Sequence, residues 1–220
     1  KKVAIIAVDP TSPFTGGAIL GDRVRMNDLS VDKGVFIRSM GARGHLGGIS
    51  EATAAAINIL DIFGSEYIIV ETVGVGQSEI DIVRNCDTTL MVMVPGLGDD
   101  IQAIKAGIME IGDVFAVNKA DRDGATRTAR EIDMMLDFNK HLDWRPPVKL
   151  VVASENHGIS ELLDSILAHK AYLIDSGKLE QKRISNAKSE VVEMIKERIE
   201  RSILDNSHNE EKLLDYSKQI

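Results

Sequence analysis

Aromatic residues make up only 4% of the chain, so its core must be assembled from Ile, Val, Leu, Met and Ala. There is one cysteine, Cys86, which excludes an intramolecular disulfide framework and suits a reducing compartment. Cations are in deficit: 26 Lys and Arg against 34 Asp and Glu give a formal charge of −8. That balance argues against broad nucleic-acid binding, which needs a basic face. It leaves room for one phosphate ligand held locally by backbone amides and a few cations. No stretch approaches the roughly 20 apolar residues of a membrane-spanning helix, and the chain opens directly on an apolar strand with no secretory pattern. The five histidines and Cys86 show no zinc-ligand spacing. A cytoplasmic protein with no membrane and no nucleic-acid partner is expected.

What the sequence does have is alternation. Short apolar runs at Val3–Val8, Val35–Ile37, Tyr67–Val70, Thr88–Val94, Val114–Val117 and Val148–Val152 read as strands. The first is expected to stop at Asp9-Pro10, because proline blocks continuation. Thr11–Gly21 reads as a loop and Gly41–Gly48 as a glycine-rich turn. Helices are expected from a Ser50 cap to about Phe63, over Glu79–Asn85, Ile101–Ile111 and Thr126–Asn139, and again from Ser160. Strands apolar throughout, separated by helices, predict an α/β fold with a mostly parallel sheet covered on both faces. Ligands of such sheets bind beyond the carboxyl ends of the strands. Polar and glycine residues collect at those ends: Asp9, Arg38, Glu71, Pro95-Gly96, Asn118 and Ala153-Ser154.

After about Tyr172 the chain turns charged and loses its strand signal. Val191, Val192, Ile195, Ile199 and Ile203 recur at helical spacing. The stripe either packs on the domain or meets a second subunit. Residues 1–170 are therefore read as the core and 171–220 as a helical extension.

Asn118-Lys119-Ala120-Asp121 follows the strand Val114–Val117 and matches the NKxD pattern that reads guanine. A carboxylate at Asp121 accepts hydrogen bonds from the guanine ring N–H and its exocyclic amino group. Adenine offers neither, and a buried acceptor left unpaired costs about 1–3 kcal/mol. Lys119 would lay its stem along the base and Asn118 would brace the loop; a plain polar turn would also follow a strand here. Ile68–Gly74 resembles a Walker-B strand with Glu71 in the acidic position. Such a carboxylate would hold Mg²⁺ directly or through its waters, and Gly74 would let the backbone approach a γ-phosphate. Gly74-Val75-Gly76 is a poor dinucleotide fingerprint, because Glu79 in its last position would repel a pyrophosphate. Asp9 and Asp22 are further carboxylates for the ion and its water shell. Pro95–Asp100 precedes a helix carrying Lys105. Asp99 and Lys105 there could trade partners between nucleotide states, or an aspartate could simply cap the helix. Arg38, Arg43 and His45 near the Gly41–Gly48 turn could touch phosphate or a partner, or be plain surface charges.

The phosphate cradle GxxxxGKS/T occurs nowhere in the 220 residues. Gly177-Lys178 lacks both the preceding glycine and the following hydroxyl. In a fold of this kind the cradle would lie before Lys1, so the chain is expected to lack at least one βα unit at its amino terminus.

Together, Ala7–Met26, Phe36–Thr53, Val70–Glu79, Pro95–Ile111 and Val117–Asp121 closely resemble the MeaB/ArgK/MMAA group of P-loop GTPases, over about Val3 to Leu167. The resemblance implies a P-loop NTPase fold of the SIMIBI type and hydrolysis of GTP to GDP and phosphate with Mg²⁺. It also implies a chaperone role: gating cofactor loading and protecting an adenosylcobalamin-dependent acyl-CoA mutase, methylmalonyl-CoA mutase being the expected partner. Asp9, Asp22 and Glu71 match the family's metal and catalytic carboxylates. Asp99 and Lys105 match its partner-sensing switch, and Asn118, Lys119 and Asp121 its guanine motif. Ala153 and Ser154 match its second base-contacting segment only loosely. The family's carboxyl-terminal extension mediates homodimerisation. Two other readings remain: a kinase linked to amino-acid transport, after an older name for some relatives, and a folded body that docks or dimerises without holding phosphate.

Overall fold

The computed structural model describes residues 2–10, 26, 29, 31–42, 51–72, 85–96, 108–138 and 143–204. Two three-stranded parallel sheets are found among them. One has the order β2-β1-β3, from β1 (Val3–Pro10), β2 (Val35–Ala42) and β3 (Tyr67–Thr72). The other has the order β4-β5-β6, from β4 (Leu90–Met93), β5 (Val114–Val117) and β6 (Val148–Leu150). The helices are α1 (Glu51–Ile62), α2 (Ile108–Ile111), α3 (Ala125–Asp137), α4 (Ile159–Asp175) and α5 (Lys178–Leu204). The chain divides into two compact units, Lys1–Tyr172 and Leu173–Ile220.

Each central strand shows why an unbroken apolar run belongs between two layers. Successive strand residues point to opposite faces, and all four residues of β5 are buried. Phe115 and Val117 pack with Ile132 and Leu136 of α3. Val114 and Ala116 pack on the other side with Val151 and with Leu162 of α4. Burying each of the larger side chains contributes about 1.5–3 kcal/mol. Ala125, Thr128, Ile132 and Leu136 are the buried residues of α3; their spacing of three and four is one face of a helix. In the first sheet Ala4, Ile6 and Val8 of β1 meet Leu60 of α1.

Several boundaries differ from the sequence expectation. β1 runs on through Asp9 and Pro10. Its pairing with β3 ends at Val8–Thr72, whereas its pairing with β2 continues to Pro10–Ala42. Among the described residues the strand beyond Val8 is paired with β2 only, and a one-sided pairing tolerates a residue without an N–H. β2 correspondingly extends to Ala42, so Gly41 lies in a strand and not in a turn. β4 is shorter than Thr88–Val94. Thr89 is held before it, its amide donating to Asp113 Oδ2 at 2.8 Å. β6 stops at Leu150 because Val152 turns to bridge His157, its N–H donating to the His157 carbonyl at 3.0 Å. The expected helix over Glu79–Asn85 lies outside the described residues except Asn85, which is helical, and Ile101–Ile111 is described only from Ile108. The Thr11–Gly21 loop lies outside them altogether.

In the second unit, α5 spans 27 residues. Ile184, Val191, Val192, Met194, Ile195 and Ile199 on it are all exposed. No helix among the described residues is long and apolar enough to cross a membrane.

Candidate functional site

The loop after β5 is built by backbone extension of the sheet. The Asn118 amide donates to the Met93 carbonyl of β4 at 2.8 Å, and the Ala120 amide donates to the Val151 carbonyl at 3.0 Å. Asn118, Lys119, Ala120 and Asp121 thus sit between the carboxyl ends of the flanking strands. The Asn118 side chain closes the arrangement. Its Oδ1 accepts from the Lys119 amide at 2.8 Å and from the Ala153 amide at 3.1 Å. One carboxamide therefore fixes the turn after β5 against the 3-10 turn Ala153–Glu155 that follows β6. Of the residues expected here, Asn118, Lys119, Asp121, Ala153 and Ser154 are brought to the same edge of this sheet.

Lys119 has φ 58°, a left-handed conformation unfavourable for a side-chain-bearing residue. It is retained because both of its peptide groups are committed: the amide to Asn118 and the carbonyl to the Arg122 N–H at 3.0 Å. Backbone held out of its ordinary region by surrounding bonds is a mark of functional loops. The Lys119 and Asp121 side chains are exposed, as groups that receive a ligand must be. Beside Asp121 an open cavity of about 730 Å³ runs along the first turns of α3, lined among others by Arg122, Arg127, Arg130 and Met134. Gly158 closes the turn into α4. Its φ is +73°, and a Cβ there would stand 2.4 Å from the Leu150 carbonyl, so only glycine fits.

At the carboxyl edge of the other sheet, Glu71 is the penultimate residue of β3, with an exposed side chain. Asp9 lies on β1 two positions beyond the residue paired with Glu71, which is Ala7. Ser39 occupies the same cross-strand row, paired with Ala7 from the opposite side. Its Oγ is buried with no hydrogen-bond partner. Among the described residues Glu71 presents an exposed carboxylate at this edge, a hard oxygen of the kind that Mg²⁺ and its waters take. Among the described residues no group of three or more His, Cys, Asp and Glu is placed to hold a metal. Asp22, Gly74, Asp99 and Lys105 lie outside the described residues.

Sequence reasoning missed Ser39, Gly158 and the bond from Asn118 to Ala153. A serine inside an apolar strand was the available signal for Ser39. Glycine before Ile159, at the start of a helical pattern, was the signal for Gly158. Arg145 was also missed. It pairs with Asp133 and Asp137 of α3 at 3.0 and 2.9 Å, and those hydrogen bonds hold its guanidinium above its ordinary range. It braces the segment entering β6 against α3.

The family model described as "Methylmalonyl Co-A mutase-associated GTPase MeaB" matches residues 1–208. A protein of Pyrococcus abyssi named as a GTPase is 55% identical over 193 residues, which are 86% of this chain and 60% of that protein. GTPase ArgK of Escherichia coli is 39% identical over 223 residues, 99% of this chain and 66% of its own length. A crystal structure of an LAO/AO transport system kinase superposes with a TM-score of 0.72 at 29% identity, over 94% of this chain and 62% of that one. The chain thus spans about three fifths of the length of the archaeal relative and of the solved structure.

Proposed function

Because the chain belongs to the family of methylmalonyl-CoA-mutase-associated GTPases, we propose that it carries the guanine-reading half of a GTP-hydrolysing chaperone. In this reading the whole protein gates cofactor loading of an adenosylcobalamin-dependent acyl-CoA mutase in the cytoplasm. The observation that supports it best is the Asn118–Asp121 loop, fastened through Asn118 Oδ1 to Ala153 at the edge where such sheets bind ligands. Asp121 accepts the two guanine donors, Lys119 covers the base, and the Ala153-Ser154 turn closes it from the β6 side. Glu71 and Asp9, with Asp22, would hold Mg²⁺ and order its waters, while Gly74, Asp99 and Lys105 would report the state of the γ-phosphate to the mutase. When bound, the ion would neutralise charge developing on the phosphates.

In a full-length protein carrying the phosphate loop, Glu71→Ala is expected to lower GTP turnover at least a hundredfold, about 2.7 kcal/mol, and to change GDP affinity less than threefold. A single-turnover assay beside GDP calorimetry makes the comparison. Equal losses in both would assign Glu71 a structural role.

The α5 stripe is the surface of a homodimer in the same reading. Val191, Val192, Met194, Ile195 and Ile199 are each at least 44% exposed on one helix, and an exposed apolar stripe of this kind is what an isologous contact covers. Ending the chain at Gly177 is expected to halve the mass in light scattering while the circular dichroism of the core persists. A shortened chain that keeps its mass would place the interface elsewhere.

A further inference from the structure

At the edge of the sheet opposite the guanine loop, the last turns of α4 bury a histidine that no step of hydrolysis uses. The His169 side chain is 3% exposed. Its Nδ1 lies 2.9 Å from the Thr88 hydroxyl, just before β4, and its Nε2 lies 3.4 Å from Asp113 Oδ1, just before β5. The other oxygen of Asp113 accepts the Thr89 amide at 2.8 Å. The Trp144 indole N–H donates to the Asp113 carbonyl at 2.8 Å. Its ring centroid is 4.9 Å from the imidazole, which also stacks on Tyr172 at 6.1 Å.

We propose that His169 is a proton-binding latch at the feet of β4 and β5. The imidazole takes up a proton in place, between the Thr88 hydroxyl and the Asp113 carboxylate, and its charged form grips both strands more firmly than the neutral one. With the neutral ring's proton on Nε2, that N–H faces the Asp113 carboxylate and Nδ1 accepts from the Thr88 hydroxyl. In the charged ring both nitrogens donate, and the hydroxyl turns to accept, since it can do either. No ring nitrogen is orphaned in either state, so protonation does not have to break the fold. It converts the Asp113 contact into an ion pair between a buried ring and a partly exposed carboxylate.

Asp113 is a charged group in contact with the ring. Thr88, Trp144 and Tyr172 present uncharged atoms. Asp143 and Arg145 flank Trp144 in sequence, and Arg145 is engaged by Asp133 and Asp137. Lys170, next along α4, places its ammonium 5.4 Å from the Tyr67 ring centroid. The linkage follows in sign. Stability contributed by the charged form is present at low pH and is lost as the proton leaves. The strands so held are those whose other ends carry Pro95 and Asn118, so acid would steady the pair that bears the base loop.

The chain contains its own reporter, because Trp144 is its single tryptophan and a protonated imidazole beside an excited indole quenches it. Emission of the 220-residue chain is expected to fall along a one-proton curve as pH drops from about 8 to 5, the range in which histidine titrates. His169→Gln should flatten the curve. Asp113→Asn should move its midpoint down by about one pH unit, tenfold in proton affinity. His141→Gln, altering the histidine nearest Trp144 in sequence, should leave it unchanged. A wild-type emission that does not titrate, or a curve that survives His169→Gln, overturns the proposal. Should His169→Gln fail to fold, the Asp113→Asn shift and the ring signals of ¹³C-labelled histidine in the wild-type chain decide the matter, an untitrating His169 refuting the latch.

Discussion

Titrated with GDP and Mg²⁺ in a calorimeter, the 220-residue chain is expected to bind about a thousandfold more weakly than a chimera in which a strand, a GxxxxGKS/T phosphate loop and its helix are joined before Lys1. The NKxD residues Asn118, Lys119 and Asp121 stand at the end of β5, with Ala153 tied to Asn118. The phosphates, however, meet no cradle sequence in these residues. A phosphate loop supplies successive backbone N–H donors, a lysine and a Mg²⁺-binding hydroxyl. Charge-assisted hydrogen bonds contribute about 1.5–3 kcal/mol each, so losing three costs roughly 4 kcal/mol or more, a factor of about a thousand. Against that, the exposed Glu71 carboxylate would repel a triphosphate unless an ion intervened. Micromolar GDP binding by the chain alone would mean that phosphate is gripped elsewhere.

The parts of this account that were legible in the sequence are those that depend on neighbours in the chain. Val114–Val117 is apolar throughout because both faces of β5 are covered, and the NKxD residues follow it immediately, so strand and motif announced each other. The helix α3 was equally plain, expected over Thr126–Asn139 and found over Ala125–Asp137. The parts that were hidden depend on partners far along the chain. Nothing local says that among the described residues β1 keeps only β2 beside it after Val8, a one-sided pairing that tolerates Pro10. Nothing local says that Asn118 reaches across 35 positions to Ala153, or that Val152 turns back on His157 and ends β6 early. His169 looked like one histidine on a helix. Thr88 and Asp113, 81 and 56 positions away, make it something else.

The second large effect concerns the base. In the chimera, Asp121→Asn is expected to weaken GTP binding at least a hundredfold and to favour xanthosine triphosphate over GTP. Asparagine keeps the size of aspartate but exchanges one acceptor oxygen for an NH₂ donor. That donor faces the guanine amino group, so one hydrogen bond is lost and two donors oppose each other. Xanthine carries a carbonyl at that position and restores the pairing. Two charge-assisted bonds at about 1.5–3 kcal/mol each bound the loss near 3 kcal/mol or above, more than a hundredfold. Competition between labelled GTP and unlabelled xanthosine triphosphate reads both changes at once. An unaltered preference would detach Asp121 from base recognition, and with it the role given to the turn that holds Lys119 at φ 58°.

The most direct test of the central claim, that guanine is read at the end of β5, uses the chain as it stands. Weak binding is visible by NMR when the nucleotide is supplied at millimolar concentration to ¹⁵N-labelled protein. With GDP and Mg²⁺, the amide signals of Lys119, Ala120, Asp121, Ala153 and Ser154 are expected to shift in a saturable way, and ADP at the same concentration should leave them in place. Equal shifts from ADP and GDP, or GDP shifts confined to residues away from this loop and the Ala153–Glu155 turn, would contradict the account.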